Sequence, residues 1–319
     1  MRAFVCDGEP RLVRDYPEPP PRAGEALVEL RVAGICHTDL ELSRGYMGFR
    51  GVLGHEFVGD VLSASNPALV GKRVVADINA GCGACDDCRR GNAHHCGTRT
   101  VLGIVGRDGA MSDRFTVPES CLVTVPDSVP DDAAVFAEPL AAALHVLDDI
   151  AAEAGPIVVL GDGKLGQLVA RALVGSGRET TLVGRHESKL GLARAAGARA
   201  LLESELGTEL DGSPMVVEAT GRAAGIALAL RLTRPRGTVV LKTTVAGQTS
   251  VDLSPIVINE LRVVGSRCGD LARAVALLAA GRADPTPLIA ARYSLDDATA
   301  AFSHAAEPGV LKVLLHRTA

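Results

Sequence analysis

PIVVLGDGKLGQLVARALVGSG, residues 156 to 177, decides how the second half of this chain folds. The apolar run 157–160 leads directly into GDGKLG, residues 161–166, and a helix-period pattern follows. A continuous apolar run of that length suits a strand buried on both faces, and the periodic segment suits an amphipathic helix. The G-x-G-x-x-G between them carries meaning because it follows a strand and opens a helix. Gly161 permits the tight turn, Gly163 lets a pyrophosphate approach the backbone, and Gly166 lets helix and strand pack closely. Lys164 and Leu165 complete the turn, and the free N–H groups at the helix start face the phosphates. The stretch is read as a dinucleotide-binding unit, with a merely structural βα turn as the alternative.

The same plan repeats outward. TTLVGRHESKLGLARAAGA (180–198) is a second strand, turn and helix, and MVVEATG (215–221) and GTVVLKTT (237–244) are further short apolar strands. Alternating units of this length predict a parallel, doubly wound sheet. The second strand ends at Gly184, where an Asp or Glu would accept from a ribose with a free 2′-OH. Arg185, His186 and Lys189 follow instead. With no acid at the strand end and a guanidinium one residue on, NADP is expected over NAD, with Arg185 and Lys189 at the 2′-phosphate. A solvated surface role is the alternative for Arg185.

Upstream the texture differs. EALVELRVAGI (25–35), EFVGDVLS (56–63) and GKRVVADI (71–78) are short β-type runs bounded by turn residues, which suggests an irregular β-barrel or sandwich. After PDSVPDD (126–132), AAVFAEPLAAALHVLDDIAAEAG (133–155) is helical in composition but interrupted by Pro139. Beyond ADPTPLIAARYSL (283–295) the chain returns to the first domain and ends in strand-like VLKVLLH (310–316). The expected domains are therefore 1–139, 140–284 and a returning segment 285–319.

Bulk properties bound the function. The chain has 319 residues, enough for two domains, with 47% hydrophobic and 22% charged residues. A net charge of −5 and the absence of a Lys/Arg run argue against nucleic acid. No apolar segment has the length of a signal peptide core or a membrane span, so a soluble, cytoplasmic protein is expected. Eight cysteines are present, four of them in GCGACDDCRRGNAHHC (81–96). In such a chain clustered thiols read as metal ligands rather than disulfides.

Cys36 in GICHTDL and His55 in GHEFVG are unremarkable singly. In order, GICHTDL, GHEFVG, CGACDDCRRGNAHHC and GDGKLG resemble the zinc-dependent medium-chain alcohol/polyol dehydrogenases over essentially the whole chain. The resemblance implies a GroES-like irregular β-barrel catalytic domain and a Rossmann coenzyme domain. It implies two zinc ions, a nicotinamide coenzyme and a homo-oligomer, either dimer or tetramer. Cys36 and His55 would bind the catalytic zinc. No cysteine stands where the alcohol dehydrogenases place their third ligand; Glu138 of the Glu-Pro pair matches the polyol and threonine dehydrogenase branches. Its alternative is a carboxylate at a helix start. Glu56 is a second carboxylate that would bind transiently. Thr38 resembles the family's hydroxyl relay, His37 would continue it or touch the pyrophosphate, and Asp39 would fix a ligating imidazole.

By the same resemblance Cys82, Cys85, Cys88 and Cys96 form a structural zinc lobe (81–97). Four thiolates close a tetrahedral site and leave no position for substrate. His94 and His95 are then surplus and read as lobe-surface residues. An iron–sulfur cluster is the other four-cysteine option, but CGTRT lacks the ferredoxin Cys-Pro ending. The implied function is hydride transfer between a nicotinamide coenzyme and a small alcohol, polyol or its carbonyl partner. NADPH-driven aldehyde reduction and a non-catalytic binding role are the alternatives; a zinc-free quinone reductase would lack the Cys/His/Glu set. SRGYMGFRGVL (43–53) is brief where many relatives carry a longer substrate-facing loop.

Overall fold

The computed structural model describes residues 1–20, 22–150, 154–243 and 250–317. The chain divides into two units, Met1–Glu138 with Leu288–Ala319, and Pro139–Pro287.

In the second unit the run 157–160 becomes strand Ile157–Leu160, buried at every residue. Six strands lie in the order Arg199–Leu202, Thr180–Gly184, Ile157–Leu160, Ser213–Glu218, Thr233–Leu241 and Arg262–Gly265. All neighbouring pairs are parallel. Chain order reverses at Ile157–Leu160, whose neighbours are the next strand on one side and a later one on the other. The carboxyl end at such a reversal is where open parallel sheets bind ligands. Val158, Leu160, Val183, Val216 and Val239 pack with Ala229, Leu230 and Leu232 of helix Ala223–Leu232. Each such buried aliphatic side chain stabilises by roughly 1.5–3 kcal/mol.

The glycines of the turn have separate steric causes. Gly161 has φ +109°, which few side-chain-bearing residues adopt. A Cβ at Gly166 would lie 1.8 Å from the Gly161 carbonyl oxygen, so helix Lys164–Gly175 can start here only without one.

The first unit holds a seven-stranded sheet with path Leu122–Thr124, Arg73–Ala76, Glu56–Ser63, Glu25–Gly34, Lys312–His316 and Ile289–Ser294; Arg114–Pro118 also pairs with Glu25–Gly34. Ala3–Asp7, Glu9–Val13 and Gly51–Val52 form a separate three-stranded sheet. Phe4, Leu30, Ile35, Phe57, Phe115 and Phe302 share the principal core of this unit. The C-terminal strand pairs antiparallel with Glu25–Gly34, placing Leu314 opposite Gly34, which is itself opposite Glu56.

Pro139 does not break the helical stretch. It falls in the first turn of helix Ala137–Leu144, where its missing N–H has no intrahelical partner to lose. Short helices Asp131–Ala134 and Val146–Asp149 flank that helix, and the expected continuation through 151–153 lies outside the described residues. Among the described residues no helix is long and apolar enough to cross a membrane.

Candidate active site

Cys36 leaves the end of strand Glu25–Gly34 and stands at the N-cap of helix His37–Ser43. The geometry is fixed by Asp39, which is fully buried. Its Oδ2 accepts from the Cys36 backbone N–H at 2.8 Å, and its Oδ1 accepts from that of Gly54 at 3.2 Å. Oδ1 also lies 3.2 Å from His55 Nδ1, within ion-pair range but off the line of a hydrogen bond. One carboxylate thus ties together the two loops that carry Cys36 and His55.

Ligand atoms of Cys36, His55 and Glu56 lie within 4.8 Å of one another. Glu138 is outside that group. It is partly accessible, yet the surrounding protein desolvates its carboxyl and pushes it up to about 7; His55 opposes the rise and Glu56 adds to it. The sequence expectation put Glu138 in the donor set and Glu56 at its margin, whereas the structure gathers Glu56 with Cys36 and His55. The physical reason is adjacency: Glu56 follows His55 into strand Glu56–Ser63, while Glu138 arrives on a different element. Thr38 Oγ1 lies 3.8 Å from Cys36 Sγ. His37 points to solvent, with Nε2 3.5 Å from Glu41.

The site fits a cation. Three carboxylates and a thiol converge around one histidine and one lysine. Burial alone would depress the His55 imidazole, but Asp39 and Cys36 outweigh it and raise it well above its ordinary value. A buried cluster with surplus acid and borderline-soft donors is suited to zinc.

The lysine is Lys312, which the sequence reading missed. It is 2% exposed and pairs with the equally buried Glu56 carboxylate. Its ammonium also lies 5.3 Å from the centre of the Phe136 ring. Burial disfavours its charge, but Glu56 and Cys36 prevail and raise it above the ordinary lysine value. Gly34, between the two strands, leaves the room: a Cβ there would come within 2.4 Å of Glu56 Oε2. The available signal was one lysine inside the otherwise apolar VLKVLL.

The four clustered cysteines form a second donor set, with sulfurs within 4.8 Å of one another, and among the described residues no cysteine is in a disulfide. Backbone N–H groups already point at the sulfurs: Cys82 N donates to Cys96 Sγ at 3.4 Å, and Cys85 N to Cys82 Sγ at 3.3 Å. The Thr98 hydroxyl and the Cys82 N–H hold Cys96 below the ordinary thiol value, whereas burial and the neighbouring sulfurs push Cys88 up. Donors arranged for thiolate sulfur fit a closed tetrahedral metal site. His94 is not a plain surface residue: its Nε2 bonds Asp77 Oδ2, while the other oxygen of that carboxylate, Oδ1, accepts from Asn79 N at 2.8 Å. That contact anchors the cysteine lobe, and so corrects the sequence reading of His94.

In the second unit the turn 161–166 lies at the carboxyl end of Ile157–Leu160. A Cβ on Gly163 would meet no protein atom, so its absence leaves open space beside the helix start, as a bound pyrophosphate requires. Arg185 is exposed and Lys189 half-buried beyond the Gly184 strand end. The expectation that no acidic group stands there needs correction, because Asp162 brings its carboxylate to this corner from the turn. Its Oδ2 accepts from Arg185 N at 2.8 Å and His186 N at 2.7 Å.

Residues 22–127 match the family model of the alcohol dehydrogenase GroES-like domain, and residues 165–280 that of the zinc-binding dehydrogenases. The chain is 30% identical to the L-threonine 3-dehydrogenase of Streptomyces coelicolor, covering 100% of both proteins. It is 28% identical to the D-altritol 5-dehydrogenase of Agrobacterium fabrum, covering 91% of each. Among solved structures it superposes with TM-score 0.89 and 30% identity on a zinc-binding dehydrogenase of Sinorhizobium meliloti bound to NADP, over 99% of this chain and 98% of that one. An alcohol dehydrogenase of E. coli CFT073 solved with NADH gives 0.90 at 26% identity, over 99% of both.

Proposed function

The chain belongs to the zinc-type medium-chain dehydrogenase/reductase family, and from that premise we propose that it is a zinc- and NADP-dependent oxidoreductase acting on a small hydrophilic secondary alcohol or its ketone. The observation that carries this reading is the convergence of half-buried Cys36 with buried His55 and Glu56. The relatives' names support the substrate class, since threonine and altritol both bear several polar groups around the alcohol. NADP rests on Arg185 and Lys189 beyond a strand that ends in glycine.

The unit 1–138 with 288–319 is assigned catalysis, and 139–287 coenzyme binding. Cys36, His55 and Glu56, with Glu138 beside them, would hold one zinc; Cys82, Cys85, Cys88 and Cys96 would hold a second, structural one. A zinc at the first site supplies Lewis acidity towards the substrate oxygen, and the nicotinamide supplies the hydride acceptor or donor. Asp39 holds the His55 imidazole in orientation. Lys312 balances the buried Glu56 charge beside the donor set. Thr38 Oγ1 would accept the substrate's hydroxyl proton as it gives up its own, and exposed His37 would carry that second proton to solvent. The turn 161–166 holds the pyrophosphate. A homo-oligomer is supported by Leu253, Val257 and Ile258, all exposed, shortly before the edge strand Arg262–Gly265 in the chain.

Metal content tests the reading. Wild-type protein should carry two zincs and oxidise members of a polyol and amino-alcohol panel with NADP. Combining Cys36→Ser with His55→Ala should remove one zinc and all turnover. Retention of both zincs, or of turnover, in that variant would sink the assignment.

A further inference from the structure

Two successive backbone N–H groups aimed at one point form an anion-binding nest. Arg185 N and His186 N form such a pair where strand Thr180–Gly184 passes into helix Glu187–Ala195. In this chain the nest is filled by the protein itself. Asp162 Oδ2 accepts from both N–H groups, at 2.8 and 2.7 Å, and lies 2.9 Å from His186 Nδ1. The fit depends on Gly184. A Cβ there would come within 2.5 Å of Asp162 Cβ and 2.7 Å of its Cγ and Oδ2, so the bare strand end and the aspartate are sterically matched.

The corner is the one where parallel dinucleotide-binding sheets recognise the adenosine ribose. An acid on the strand itself would reach out to that ribose. Here the acid comes from the glycine turn and takes the backbone donors a 2′-phosphate would use. Burial opposes ionisation of Asp162, but the donors from His186 and Arg185 outweigh it and hold the carboxyl below its ordinary value. A phosphate arriving here meets a full negative charge as well as occupied N–H groups. Arg185 and Lys189, which follow the strand end, are left to attract it. Among the described residues all three donors go to Oδ2, which leaves Oδ1 for a ribose hydroxyl.

We infer that Asp162 is a specificity-determining residue at the coenzyme's 2′ position, an internal stand-in for the 2′-phosphate that restrains the preference for NADP conferred by Arg185 and Lys189. The inference rests on the nicotinamide-coenzyme reading above. It makes the corner a balance of opposed charges, and it locates the opposing charge in the second residue of the glycine motif.

The test uses zinc-loaded full-length protein and its Asp162→Asn and Asp162→Ala variants. Dissociation constants for NADPH and NADH are measured by nicotinamide fluorescence, with adenosine 2′,5′-bisphosphate and 5′-AMP as competitors. Asparagine keeps an oxygen for the two N–H groups while removing the charge, so the turn is preserved. The Kd ratio of NADH to NADPH should rise on the order of tenfold in Asp162→Asn. Adenosine 2′,5′-bisphosphate should gain by a similar factor, and 5′-AMP should not. An unchanged ratio in both variants, or equal weakening of both coenzymes, would overturn the inference and leave Asp162 a brace of the turn. Wild-type protein that binds neither coenzyme would overturn the coenzyme reading too, a result distinct from an unchanged ratio.

Discussion

Replacing Lys312 with methionine isolates the buried charge pair beside the donor set. Methionine retains most of the aliphatic stem under Phe136, so the main loss is the ammonium partner of Glu56. Both residues are at most 2% exposed, and water cannot take the lysine's place. Breaking such a pair on one side costs about 3–5 kcal/mol, because the remaining charge is buried and unpaired. The carboxyl can escape by binding a proton, which sets a ceiling. Holding a carboxyl of ordinary value ~4.3 neutral at pH 7 costs about 3.5 kcal/mol. The sign follows from linkage. In the variant the folded-state value of Glu56 rises above the unfolded one, so the folded protein binds the extra proton. The penalty is then full at high pH and fades as pH falls towards ~4.3. Expected losses are about 3.5 kcal/mol at pH 7 and about 1.5 kcal/mol at pH 5.5. Urea unfolding at the two pH values, with the Cys36, His55 and Glu56 site kept free of zinc so that no cation replaces the lysine, reads this as a fall in midpoint of about 1.5 M at pH 7. Adding Glu56→Gln should restore at least half of the loss. A pH-independent loss, one below about 1 kcal/mol, or no rescue in the double variant would refute the reasoning.

Three further outcomes are expected from the site. Glu138→Gln should lower kcat by at least about tenfold while leaving Tm unchanged or higher, because it removes a desolvated carboxyl; unchanged turnover would place Glu138 outside the chemistry. Cys85→Ser should lose one zinc of two in metal analysis and lower Tm, with kcat per folded molecule within about twofold of wild type, since a closed cysteine site does not meet substrate. Arg185→Asp should reduce kcat/KM with NADPH by at least about tenfold and spare NADH; equal losses with both coenzymes would count against a 2′-phosphate contact.

The coenzyme unit was legible because its signals are local. Strand Ile157–Leu160, the glycine turn and helix Lys164–Gly175 are consecutive, and each glycine there has a steric reason within a few residues. The first unit was less legible. Its strands are short and separated by turns, and their pairing joins segments far apart, as when Leu314 lies opposite Gly34. The sequence showed strands there without showing which edges meet. Cys36 and His55 were found only through the order of several motifs, since neither residue carries a distinctive neighbourhood of its own.

The residues that escaped the sequence reading, Asp162 and Lys312, are both charges whose partners lie elsewhere in the chain. Asp162 meets N–H groups 23 and 24 residues away, and Lys312 meets a carboxylate 256 residues away. Each of these charges already demands a partner from its place in the sequence. A lysine in an apolar strand must be buried with a partner, because an unpaired buried ammonium is too costly to persist. An aspartate in a buried glycine turn must likewise find donors. What the sequence withheld was the identity of the partner, and with it the function. The partner is Glu56 in one case, which makes Lys312 part of the donor set's charge balance. It is the backbone beyond Gly184 in the other, which turns a position read as free of acid into one that already holds an anion. A missing acid at a strand end therefore argues for NADP only after the neighbouring turn has been searched for a carboxylate that reaches the same corner.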